Sequence, residues 1–137
     1  MGPVNTTDSA RDPESDMLDR ARSLLGTDPA QAIVHLKALV KRGSVRGSYE
    51  LGRGYYELKD YKKAEEAFRI GAIENYAPSI HMLGFMFAKG IGVEKDLDEA
   101  RVLLERASRL GHAFAKRGLG EVLVSCLLYT SPSPRDS

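Results

Sequence analysis

Residues 77–115 read APSIHMLGFMFAKGIGVEKDLDEARVLLERASRLGHAFA, and this stretch decides the fold. Its first part carries apolar residues at helical spacing, with Pro78 in the first turn, where a missing N–H costs nothing. Its second part opens on Asp96-Leu97-Asp98-Glu99, a capping-box pattern, and continues with Ala100, Leu104 and Ala107 on one helical face. Between them, Gly90 and Gly92 supply two residues free to take positive φ in a tight loop. The stretch is therefore two antiparallel helices, neither of which can bury an apolar face alone. Met82-Leu83-Gly84-Phe85-Met86-Phe87-Ala88 is apolar all round, which fits an inner helix buried on two sides and places Met82, Leu83, Met86 and Phe87 in the core.

The same grammar recurs along the chain. Leu51-Gly52 returns as Leu83-Gly84 and again as Leu119-Gly120, at spacings of 32 and 36 residues. Tyr55 corresponds to Phe87, Asp60 and Ala64 to Asp96 and Ala100, and Phe68 to Leu104; Asp28, Ala32 and Leu36 match one spacing earlier. Periods in this range mean stacked helix pairs. Helices are predicted near 16–25, 29–42, 46–58, 61–74, 78–88, 97–110 and 113–124, with Asp28, Asp60 and Asp96 as N-caps and Gly43, Asn75 and Gly111 as left-handed stops. Gly52 and Gly84 lie inside helices, where Gly costs about 1 kcal/mol against Ala. That cost makes sense if a neighbouring helix approaches there, with Leu51, Tyr55, Leu83, Phe87, Phe68 and Leu104 filling the layer between.

On Leu83-Gly84, Phe87, Gly90-Ile91-Gly92-Val93, Asp96, Glu99-Ala100, Leu104, Ala107 and Gly111-His112, the stretch resembles a SEL-one-like repeat, a cousin of the tetratricopeptide repeat. The resemblance extends over about residues 28–124. The preceding unit departs from it: its loop is only Lys59-Asp60, closer to a tetratricopeptide turn. The resemblance implies an all-α, right-handed helix-pair solenoid, with units at about 16–44, 45–76 and 77–112 and a partial unit at 113–124.

Residues 1–15 are polar and aperiodic and are expected to be disordered. At the other end, residues 126–136 read Cys-Leu-Leu-Tyr-Thr-Ser-Pro-Ser-Pro-Arg-Asp. They resemble, in one frame, the translation of a transposase-library sequencing adapter. Residues 125–137 are accordingly read as a non-native tail, with the native reading truncated in mid-element. Leu127 and Leu128 would prolong the last helix until Pro132 and Pro134 stop it. The unpaired last helix, with Leu119, Val122 and Leu123 lacking a second helix to cover them, is expected to promote self-association.

Composition narrows the function. Twenty basic and 19 acidic residues give a net charge of +1 over 137 residues, with no clustered basic excess to suit nucleic acid or an anionic membrane. No run approaches the roughly 18 apolar residues of a membrane span. No secretory h-region opens the chain, which argues for a cytoplasmic location. Met1-Gly2-Pro3 is a poor myristoylation start, and Asn5-Thr6-Thr7 a sequon without an entry signal. Gly90-x-Gly92 lacks the strand, third glycine and Lys-Ser/Thr of a phosphate loop. His35, His81 and His112 fall in three units with no common spacing, and Cys126 is alone, so neither metal nor cofactor is expected. Asp96, Asp98 and Glu99 are explained by a helix N-terminus, and no catalytic constellation is present.

The repeat register also marks a face. Tyr49, Arg53 and Tyr56 form a stripe on the first helix of one unit. The same offsets give His81, Phe85 and Ala88 in the next unit and Arg117, Glu121 and Val124 in the last, with Arg46 and Lys89 at the margins. In a solenoid such stripes line the concave side, where partners bind. Tyr and Arg are favoured at binding hot spots. The function expected is a protein-protein interaction module holding a peptide or protein, with no enzyme activity. The alternative is a repeat or oligomerisation part of a longer enzyme or secreted factor.

Overall fold

The computed structural model describes residues 12–130. The segments 1–11 and 131–137, which carry most of the expected disordered start and of the adapter-like tail, lie outside the described residues. Among those described, the chain forms α-helices and no strand: α1 (Pro13–Leu25), α2 (Pro29–Lys41), α3 (Val45–Glu57), α4 (Tyr61–Ile73), α5 (Ala77–Lys89), α6 (Leu97–Arg109) and α7 (Ala113–Thr130).

The helix boundaries follow from local chemistry. The side chains of Asp28, Asp60 and Asp96 accept from the backbone N–H of Gln31, Lys63 and Glu99, as the sequence pattern requires. Two further caps went unread. Asp12 accepts from Ser15 N–H, so α1 begins at Pro13 and the expected disorder does not extend through residues 13–15. Ser44 accepts from Gly47 N–H at the start of α3. Gly43, Asn75 and Gly111 all take positive φ, as do Gly90 and Gly92 in the long loop. Lys59 shares that conformation in the middle of the three-residue turn 58–60 between α3 and α4. Replacing Asp96 with alanine orphans the Glu99 N–H and should cost about 1 kcal/mol in a urea titration; an unchanged midpoint would mean that this amide is satisfied elsewhere.

The chain divides into two compact units, one up to Ile70 and one from Gly71, with the boundary inside α4 rather than between two repeats. In the first unit α1, α2 and α3 pack around Leu18, Ala21, Ile33, Leu36, Leu39, Leu51 and Ala67. A Cβ on Gly52 would lie 2.5 Å from the Phe68 ring, so the absence of a side chain is what lets α3 and α4 meet there. The buried carboxylate of Glu50 is held by Arg22 at 2.8 Å and Arg53 at 3.5 Å.

In the second unit α6 packs on both α5 and α7, burying Ile80, Leu83, Met86, Ala100, Leu104, Ala107, Ala115 and Val122. Gly84 repeats the arrangement of Gly52: an added Cβ would lie 2.8 Å from Leu104 Cγ. Arg106 reaches back to the start of the unit, donating to Ala72 O at 2.8 Å and Asn75 Oδ1 at 2.6 Å. Tyr55 and Phe87, expected deep in the layer, are only half-buried. Each stands one turn beyond its glycine, near the helix end, where burial is less complete than at the glycine itself.

Candidate functional site

The predicted face falls into separate pieces, each within one unit. In the second unit, His81, Phe85, Ala88 and Lys89 of α5 come together with Glu121 of α7 around a small cleft, floored by Leu97, Leu104, Gly118 and Val122. Its volume is about 60 Å³, room for one short apolar side chain and well below the roughly 300 Å³ at which small-molecule pockets begin. Gly118 keeps the cleft open, because a Cβ there would stand 3.5 Å from Leu104 and 3.9 Å from His81 Nε2. The Gly118, Val122 and Ser125 contributions went unread in the sequence, although their i, i+4, i+7 spacing along α7 carries that face. Arg117, predicted for the same stripe, is exposed and is not among the cleft residues.

His81 and His112, which sequence spacing left apart, stand with ring centroids 4.9 Å apart, and Phe114 continues the row at 5.8 Å from His112. The α6–α7 turn at Gly111 brings them together, and a turn of that kind is not visible in a spacing count. Burial holds the His81 imidazole below its usual 6.5, with the neighbouring His112 adding to the effect; burial lowers His112 likewise. A histidine whose pKa is lower folded than unfolded binds fewer protons in the folded state, so stability is full above pH 6.5 and declines below it. The melting temperature should therefore be level from pH 8 to about 6.5 and fall toward pH 5. His81→Gln should flatten that slope; an equally steep decline in the variant would place the titrating group elsewhere.

In the first unit the stripe is tied into the fold. Tyr49 packs 5.9 Å from Phe68, and the Arg53 guanidinium stands 6.0 Å from the Tyr49 ring while also holding Glu50. Tyr56 meets Tyr61 edge-on at 5.0 Å. Arg46 donates to Glu14 at 3.0 Å and clamps the start of α1 onto α3. Sequence offsets alone could not reveal this, because Glu14 lay in a segment read as disordered. These side chains are thus partly occupied by neighbours, whereas the cleft of the second unit is open.

Among the described residues no three His, Cys, Asp or Glu side chains are placed to hold a metal ion, and no helix is long and apolar enough to cross a membrane.

Comparison with known proteins agrees with this architecture. A family model described as Sel1 repeat matches residues 77–112. The chain is similar to a crystal structure of a Sel1 repeat protein from Oxalobacter formigenes, with a TM-score of 0.71 and 25% identity, over 90% of this chain and 54% of that one. It is also similar to a protective antigen of uropathogenic Escherichia coli displaying an SLR fold, with a TM-score of 0.64 and 30% identity over 68% of this chain and 21% of that one. A curated relative is the ERAD-associated E3 ubiquitin-protein ligase component HRD3 of Candida glabrata, 30% identical over 70 residues. That match takes in 51% of this chain and only 8% of the relative's length. With its Gly-x-Gly loop, its glycine-notched first helices and these likenesses, the chain carries a Sel1-like repeat at residues 77–112 within the helix-pair solenoid fold of Sel1 repeat proteins.

Proposed function

We propose that the chain is a non-catalytic interaction module whose second unit takes a short apolar side chain of a protein partner into the cleft between α5, α6 and α7. Lys89 and Glu121, which both line the cleft, would supply charges that select the flanking residues of the partner. The observation that carries this reading is the convergence of His81, Phe85 and Glu121, marked by the repeat register, with the marginal Lys89 on one open cleft. Arg117, exposed on α7, would extend the contact within the second unit. In the first unit Tyr49, Arg53, Tyr56 and Arg46 would offer a separate contact, through rings and guanidinium groups already held by neighbours. A partner so bound needs no cofactor and no nucleic acid.

A displayed peptide library panned against the full chain tests it. Enriched peptides should share one small apolar residue with an acidic neighbour for Lys89. Phe85→Asp should reduce their affinity by at least tenfold, about 1.4 kcal/mol. Libraries that enrich no motif, or a motif bound equally well by the Phe85→Asp chain, would defeat the reading.

A further inference from the structure

The cleft of the second unit holds a polar group that capture of an apolar side chain leaves unused. His81 lines it from α5, and His81 Nε2 stands 3.9 Å from where a Cβ on Gly118 would lie, so this nitrogen fronts the space beside the glycine. The ring is half-buried, and among the described residues none forms a hydrogen bond with it. Its ring contact is with His112, at 4.9 Å between centroids. Charged groups reach the same cleft from two elements, Lys89 of α5 and Glu121 of α7, whereas α6 contributes only Leu97 and Leu104. A neutral imidazole donates from one nitrogen and accepts at the other, and a protonated one donates from both. Burial, and then the neighbouring His112, favours the neutral ring of His81.

We infer that His81 Nε2 accepts the backbone N–H of the partner residue whose side chain enters the cleft, which makes capture conditional on a neutral His81. The inference rests on the capture proposed above and adds to it a backbone contact and a dependence on pH. A volume of about 60 Å³ takes a short side chain only, so the backbone of that residue has to come down to the rim. An amide that loses water there needs an acceptor. Glu121 is exposed and has solvent as an alternative, and Ser125 opens the adapter-like tail, which leaves His81 as the acceptor set into the wall. Protonation would act twice against the bound peptide. It occupies the lone pair that accepts the N–H, and it places a charge where the peptide has excluded water. Binding therefore lowers the His81 pKa further, and by linkage acid weakens binding. Affinity should be level above pH 6.5 and fall below it, by at most about tenfold per pH unit.

The probes are the tightest peptide from the displayed library, synthesised with blocked ends, and a copy N-methylated at its apolar anchor residue. Fluorescence anisotropy with the full chain reads both, with circular dichroism at each pH to confirm that the chain is folded. Between pH 7.5 and pH 5 the parent peptide should lose at least about threefold in affinity. N-methylation should weaken binding about three- to tenfold at pH 7.5. His81→Leu should weaken the parent peptide by a similar factor and make the chain indifferent to the methyl group. His81→Gln, whose amide oxygen can accept in place of Nε2, should recover part of that loss and bind without pH dependence. A parent peptide that binds equally at both pH values, or tolerates N-methylation on the unaltered chain, overturns this inference while leaving side-chain capture standing. A pH dependence that persists in His81→Gln overturns it as well. A library that enriches no peptide removes both readings.

Discussion

Phe68→Ala is expected to destabilise the first unit by about 3–5 kcal/mol, the range for truncating a buried phenylalanine. The ring is fully buried, lies across the backbone of Gly52 and stacks 5.9 Å from Tyr49. Its loss would leave a void beneath α3 that no side chain at Gly52 is present to fill. The two positions should also couple. Gly52→Ala alone places a methyl group 2.5–2.8 Å from three ring atoms, well inside contact distance, and should be destabilising although alanine favours the helix. Combined with Phe68→Leu, the same methyl gains room, so the double variant should be more stable than the sum of the two single changes predicts. Urea unfolding of the four proteins reads this directly. Strict additivity would mean that α3 and α4 do not press together at Gly52.

The second large effect is one substitution made in two equivalent places. Helix propensity alone says that leucine in place of glycine stabilises by up to about 1 kcal/mol wherever it is made. At Gly84 the incoming Cβ would stand 2.8 Å from Leu104 Cγ, itself buried, and the rest of the leucine has no space. Overpacking of about 1–3 kcal/mol or more should win, and Gly84→Leu should lower the melting temperature. At Gly120 no described atom lies within 4 Å of the new Cβ, and Gly120→Leu should raise it. Opposite signs at equivalent repeat positions are the expected result of paired thermal scans. A gain at both sites would mean that Gly84 is open and the repeat register misassigned.

Much of this architecture is legible in the sequence. Helix positions came from apolar spacing and from the Asp28, Asp60 and Asp96 caps, because a cap and the amide it satisfies lie within three residues of each other. The repeat register marked Gly52 and Gly84 as close approaches, since a glycine inside a helix is unfavourable unless something covers it. The left-handed turns at Gly43, Asn75 and Gly111 were equally local. Each of these inferences needs only the chain's own neighbourhood, and the sequence by itself determined them.

What tertiary structure decided is which side chains remain available. Arg46 and Arg53 carry the residue types of a binding face, yet Arg46 clamps Glu14, 32 residues away, and Arg53 shares the buried Glu50 carboxylate with Arg22, which reaches it across 28 residues. His81 and His112 lie 31 positions apart and stand in contact because the α5–α6–α7 hairpins close on each other. Phe85, Lys89 and Glu121 become a cleft only because Gly118 leaves space beside Leu104. The physical reason is the same throughout. Helix formation is governed by residues three and four positions apart, which a sequence displays. Occupancy of a face depends on packing between helices distant along the chain, where loop geometry and one missing Cβ determine which groups meet and which stay open.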